Sequence, residues 1–150
     1  MFKFLFLLYI KERDYFIEEK KVVQAFHLAL PVQDLAKARE FYVETLGAEL
    51  RRSSFNWVDV NFYGNQLSLH LVTTKADRPE STMIDGDPVP ALHYGMILEK
   101  ETWEALQKDL HSKKVDFKIG PKIRFPDAEA EQGTFFITDP DGNYLSLIHI

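Results

Sequence analysis

From Ala25 onward, apolar and polar positions alternate in short runs separated by turn residues, and two longer stretches change to a helical period. AFHLALPV alternates as a strand does, and Asp34 stands where an N-cap is expected before DLAKAREFYVETL. Leu35, Ala38, Phe41, Tyr42, Thr45 and Leu46 recur at helical spacing, and Gly47 supplies a left-handed stop. Three strands are predicted next, in AELRR, NWVDVNFY and QLSLHLVTT, with Gly64-Asn65 turning between the last two. KADRPESTMIDGDPVP, residues 75–90, is polar and rich in proline and acid, and reads as a connector. The order then repeats. ALHYGMIL is a strand, ETWEALQKDLHSK a helix with Trp103, Leu106 and Leu110 on one side, and VDFKI, GTFFITD and NYLSLIHI are strands. The predicted class is α+β, with strand-helix-strand-strand-strand written twice, in modules of about residues 25–74 and 90–150.

The totals narrow the classes of function. A chain of 150 residues, 45% apolar and 27% charged, has the size and make-up of one globular domain. A net charge of −5 provides no basic stripe for nucleic acid. Absence of cysteine excludes disulfide and thiol chemistry and fits a cytoplasmic protein. Residues 1–24 form an extension with a different character. Its apolar stretch Phe2–Ile10 is too short to span a bilayer. It also has a single early basic residue, no small-residue cleavage site, and the charged run Lys11–Asp14 directly after it, unlike a signal peptide. Glu18-Glu19-Lys20 back-translates as GAG GAA AAA, which resembles a ribosome-binding site, with Val22 or Val23 as a GTG start. The expectation is that residues 1–21 are translated upstream DNA.

Three histidines occupy the same kind of place. His27 alternates with Ala25 and Ala29, His93 with Ala91 and Gly95, and His70 with Ser68 and Val72, while bulky residues take the opposite face. Small neighbours leave space beside an imidazole, and neutral imidazole is a common ligand of zinc, iron, nickel and manganese. A strand histidine taken alone is more often a partly buried residue bonded to a neighbour. His111, at a helix C-terminus, and His149, in the last strand, carry less. Asp59 and Asn61 share a strand face with Trp57 and Tyr63, and Arg124, Glu131 and Gln132 flank the loop before GTFFITD. These five are candidate substrate-binding residues, the arginine for a carboxylate or phosphate; as loop anchors and solvated charges they would have no such role.

FHLALPVQDLAKAREFYVETLG, FYGNQLSLHLV, LHYGMIL and GTFFITDPDGNYL together resemble the vicinal oxygen chelate superfamily, the glyoxalase, bleomycin-resistance and extradiol-dioxygenase group. The resemblance implies two βαβββ modules curled into an incomplete eight-stranded barrel around a metal cleft, with ligands from the first and fourth strands. It assigns His27 and His93 to the first strands. It assigns His70 to the fourth strand of the first module, where glyoxalase I members typically carry glutamate or glutamine. The last strand normally supplies glutamate three residues after the asparagine of DPDGN, where this chain has Ser146, a poor ligand. LSLIHI is also what CTG TCT CTT ATA CAC ATC encodes, which resembles a transposon mosaic end used in sequencing libraries. The expectation is that residues 145–150 replace a natural end with glutamate at 146.

By the same resemblance the function is that of a divalent-metal-dependent enzyme acting on a small oxygen-chelating metabolite, with Fe2+, Mn2+, Ni2+ or Zn2+. His27, His93 and a carboxylate at 146 would make a dioxygenase-like iron site, and adding His70 would make a site more like that of a glyoxalase or isomerase. The alternative is a non-catalytic drug- or metabolite-binding resistance protein of the bleomycin-binding type. Fosfomycin-type thiol transfer ranks behind both. The resemblance further implies a homodimer, and the expected setting is a bacterial cytoplasm, without nucleic-acid or membrane partners.

Overall fold

The computed structural model describes residues 25–75, 77 and 80–150, so the readings made for residues 1–24 lie outside the described residues. The first module runs β1 (His27–Val32), α1 (Leu35–Arg39), β2 (Glu49–Ser53), β3 (Trp57–Phe62) and β4 (Asn65–Leu71). A short hairpin follows, β5 (Ser81–Ile84) and β6 (Asp87–Pro90). The second module is β7 (Tyr94–Ile97), α2 (Lys100–Ser112), β8 (Ile119–Arg124), β9 (Gln132–Thr138) and β10 (Tyr144–His149). The sheets have the orders β1-β4-β3-β2 and β7-β10-β9-β8, so the first strand of each module lies parallel to its last. This is the doubled βαβββ arrangement expected from the sequence, left open rather than closed into a barrel. Among the described residues no helix is long and apolar enough to cross a membrane.

Local chemistry explains the elements. Asp34 caps α1 by accepting from the amides of Ala36 and Lys37 at 3.0 and 3.1 Å. The helix widens into a π-helical stretch, Glu40–Thr45, which turns Phe41 and Tyr42 toward the sheet before Gly47 (φ +73°) ends it. One apolar core joins the modules: Leu30, Val32, Tyr42, Val60 and Leu69 from the first, and Leu98, Trp103, Leu110, Phe135 and Leu147 from the second. Trp103 also donates its indole N–H to the Leu147 carbonyl at 2.9 Å, tying α2 to β10.

Three expectations require correction. The connector 75–90 contains the β5–β6 hairpin, built on a two-residue turn with both φ values positive, Asp85 (46°) and Gly86 (82°). Pro88 and Pro90 mask it in the sequence, and a two-stranded edge tolerates them. The strand predicted at VDFKI begins only at Ile119 and runs to Arg124, across Pro121. It is the outer strand of its sheet, and a register shift between Ile119 and Lys122 accommodates the proline. Finally, Ala91–His93 bend instead of extending, because the Ala91 amide closes the hairpin base on the Glu80 carbonyl at 2.7 Å.

The modules are locked by the turn DPDGN. Asp139, 3% exposed, accepts from the amides of Asp141 and Asn143, from the Asn143 side chain at 2.7 Å, and from the Tyr42 hydroxyl at 3.0 Å. Across the same joint Asp141 Oδ1 accepts the Gln33 amide at 2.7 Å, and Asn143 Nδ2 donates to the Pro31 carbonyl at 3.2 Å. Tyr42 and Tyr94 meet hydroxyl to hydroxyl. Burial pushes both phenols well above the ordinary tyrosine range, and burial raises the Asp139 carboxyl despite its donors. Tyr42→Phe is therefore expected to lower stability by about 1–3 kcal/mol, through the donor taken from a buried carboxylate. Urea unfolding would measure it, and a change within about 0.5 kcal/mol, typical of a surface substitution, would contradict this role.

Candidate functional site

Each sheet packs one face on its helix and leaves the other open. On the first sheet the open face is polar. Asp59, on β3, is 4% exposed and lies beside Ser68 of β4, which donates its hydroxyl at 2.5 Å. Arg52, on β2, donates Nε and Nη2 to Asp59 Oδ2 at 3.2 and 2.9 Å, and its guanidinium sits 5.9 Å from the Trp57 ring centre. Asn61 and Arg51 both donate to Glu49, at 3.2 and 2.8 Å. A cleft of about 480 Å3 opens here, lined by Arg51, Arg52, Asp59, Asn61, Asn65 and Gln66. Burial alone would raise the Asp59 carboxyl, but the Ser68 hydroxyl and then Arg52 outweigh it and hold the group below its ordinary range.

The open face of the second sheet is apolar. Phe136 (β9) and Ile119 (β8) form a small cluster with Val89 from the hairpin. His93, in the bend before β7, packs its ring edge-on against Phe136 with centres 5.1 Å apart. Its Nδ1 lies 2.7 Å from the Pro90 carbonyl. A carbonyl only accepts, so Nδ1 carries a proton, and in the neutral ring Nε2 is the acceptor. Ser146, half-buried, pairs with Phe136 on one side and Gly95 on the other. The β7–β10 approach is close enough that a Cβ at Gly95 would meet the Ser146 carbonyl oxygen at 1.6 Å. A smaller pocket of about 240 Å3, with Leu28, Pro31, Lys75, His93, Tyr94 and Tyr144 among its walls, lies between the modules.

The three histidines are exposed. Among the described residues no group of three histidine, aspartate or glutamate side chains gathers closely enough to hold a metal ion. Register explains part of this. His27 stands opposite Gln66, whereas His70 stands opposite Pro31, four residues further along β1 and roughly 13 Å away. Counting three residues from the turn asparagine gives Ser146 in the second module and Ser68, not His70, in the first. Of the other candidates, Asp59 and Asn61 line the polar cleft. Arg124, 3% exposed, is held in ion pairs with Asp85 and Asp87 of the hairpin. Glu131 accepts the Asp127 amide at 2.9 Å within its loop, and Gln132 opens β9 opposite Arg124. Arg52, Gln66 and Ser68 were missed from sequence. Their signal was the alternation that singled out Asp59 and Asn61, but which residues stand beside those two depends on cross-strand pairing.

Comparison with known proteins places this geometry. The model of the Glyoxalase/Bleomycin resistance protein/Dioxygenase superfamily matches residues 24–147. The chain belongs to that superfamily. A glyoxalase/bleomycin resistance protein/dioxygenase from Alicyclobacillus acidocaldarius is 31% identical, with a TM-score of 0.72 over 84% of this chain and 90% of that one. A fosfomycin resistance protein from Listeria monocytogenes, 17% identical, shares the fold with a TM-score of 0.64 over 86% of this chain and 94% of that one. A glyoxalase/dioxygenase from Nostoc punctiforme, 16% identical, shares it with a TM-score of 0.63, covering 86% and 92% of the two chains. No curated protein sequence matches the chain.

The Asp59 network has a pH signature. Its folded carboxyl sits below the unfolded value of 3.8, so its stabilising effect is complete above 3.8 and is lost as pH falls through the folded value. The stability gap between the unaltered protein and Asp59→Asn should be largest near neutral pH and shrink as pH falls below 3.8. Urea midpoints across that range would show it, and a gap independent of pH would contradict it.

Proposed function

We propose that this superfamily member binds a small, oxygen-rich anionic metabolite in the polar cleft of its first sheet. The observation that carries this reading is the Ser68–Asp59–Arg52 network. A buried carboxylate, fixed by a hydroxyl, holds a guanidinium whose side chain is 75% exposed at the cleft. Asp59 engages Nε and Nη2, which leaves Nη1 for a ligand oxygen. The amides of Asn61 and Gln66 offer further donors and acceptors to vicinal hydroxyl or carbonyl groups. We further propose a cytoplasmic setting and a homodimeric assembly. Small hydroxy- and keto-carboxylates, titrated into 15N-labelled protein, should perturb the amides of β3 and β4. Arg52→Ala should weaken that binding about tenfold, the effect of losing one charge-assisted bond. Equal affinity in the two proteins would contradict the reading.

A second reading, metal-dependent catalysis of the glyoxalase or dioxygenase type, is favoured by the fixed tautomer of His93. Imidazoles that bind metal through one nitrogen commonly donate the other N–H to a carbonyl or carboxylate. The described residues of one copy do not complete a donor set: no three donors gather, His27 and His70 stand four residues apart along β1, and position 146 holds serine. Elemental analysis after anaerobic loading with Fe2+, Mn2+, Ni2+ or Zn2+ and desalting separates the two readings. Binding without metal predicts far less than one equivalent on both the unaltered chain and Ser146→Glu. About one tight equivalent on Ser146→Glu would make position 146 the missing ligand and favour the enzyme.

A further inference from the structure

We infer that the β5–β6 hairpin is the part that sets His93, and that Arg124 is a positioning residue acting through it. Arg124 is almost fully buried on β8, yet its guanidinium reaches into the hairpin. Nη2 donates to Asp87 at 2.7 Å and Nη1 to the Ile84 carbonyl at 2.8 Å, while Asp85 lies 3.8 Å away. Lys122, from the same strand, pairs with Asp87 and donates to the Asp85 carbonyl at 3.2 Å. The turn of the hairpin is therefore gripped by two cations from the edge of the second sheet.

From the gripped residue Asp87, strand β6 runs directly to Pro90, whose carbonyl holds His93 Nδ1. Pro90 is only three residues on from Asp87, roughly 10 Å of extended chain. Val89 seats that strand on Ile119 and Phe136, and the Ala91–Glu80 bond closes its base. The His93 ring meets the same Phe136, so the carbonyl sets the tautomer and the phenyl ring sets the tilt. Nε2 is left as the acceptor that a ligand proton or a cation would meet on the open face. The Val89 cluster is separate from the main core, so the hairpin is held by that small cluster together with the contacts of Arg124 and Lys122 at its turn. A guanidinium with both arms engaged also accounts for an arginine at this position, since an ammonium point charge cannot span Asp87 and the Ile84 carbonyl in the same way.

The test reads the imidazole itself and needs no ligand, so its outcome is independent of the binding proposed above. In 15N-labelled full chain at about pH 8.5, where imidazoles are neutral, long-range 1H–15N spectra report the tautomer of each histidine. His93→Gln assigns the His93 signal. The unaltered protein should show His93 with the proton on Nδ1. Arg124→Gln should cut the Nδ1–H population severalfold and leave the other four of the five histidines unchanged, and Arg124→Lys should restore part of it. If Arg124→Gln does not fold, Asp87→Asn, at a partly exposed carboxylate, is expected to give the same loss. A lower melting temperature with His93 still Nδ1–H would make Arg124 structural only and overturn the inference, as would an unaltered protein with its proton on Nε2.

Discussion

A buried carboxylate that accepts four hydrogen bonds is the constraint on which the rest of this structure depends. Taken from water without partners, Asp139 would strongly disfavour folding. With two turn amides, one side-chain amide and one phenol around it, it instead dictates where each of those groups must be. Three donors come from its own turn and the fourth from Tyr42 on the π-helical stretch of the other module. The same turn reaches the end of β1 through Asp141 and Asn143. The helix of one module, the edge of its sheet and the last hairpin of the other module are thus fixed together. Tyr94, held by Tyr42, sits at this joint and lines the pockets on either side of it.

The joint carries two open faces of opposite chemistry. In the first module Ser68 has an aspartate beside it and an arginine beyond, so that face is a charged network in a broad cleft. In the second module Ser146, at the equivalent position, has Phe136 beside it, so that face is apolar and takes the hairpin as a partial cover. One repeated fold therefore supplies a charged, polar face on one side and a single hydrogen-bonded imidazole on the other. The superfamily accommodates enzymes and resistance proteins on this framework, and the side chains on the open faces, more than the framework, separate those roles.

Much of this was legible in the sequence because it is local. Helix period, the Asp34 cap and the DPDGN turn are encoded in neighbouring residues, and they set the order of elements; the turn expected at Gly64-Asn65 falls one residue earlier, on Tyr63 and Gly64, both at positive φ, with Asn65 already in β4. Register is not local. Alternation places Gln66, Ser68 and His70 on one face, but only the parallel pairing of β1 with β4 shows that Gln66, and not His70, stands beside His27. The hairpin was hidden for a different reason. Its Asp85-Gly86 turn is a strong signal, yet the flanking prolines and acids read as linker. Charge alone marks Arg124 as an anion binder, while its place under that hairpin depends on a contact distant in sequence.

Native-state hydrogen exchange tests the central claim, that the latch makes two modules one cooperative unit. If it does, the slowest amides of β3 and β4, such as Val60 and Leu69, and those of β9 and β10, such as Ile137 and Leu145, will exchange with one common opening free energy. Two plateaus separated by more than about 1 kcal/mol, one for each module, would show that the modules open independently and would contradict the account.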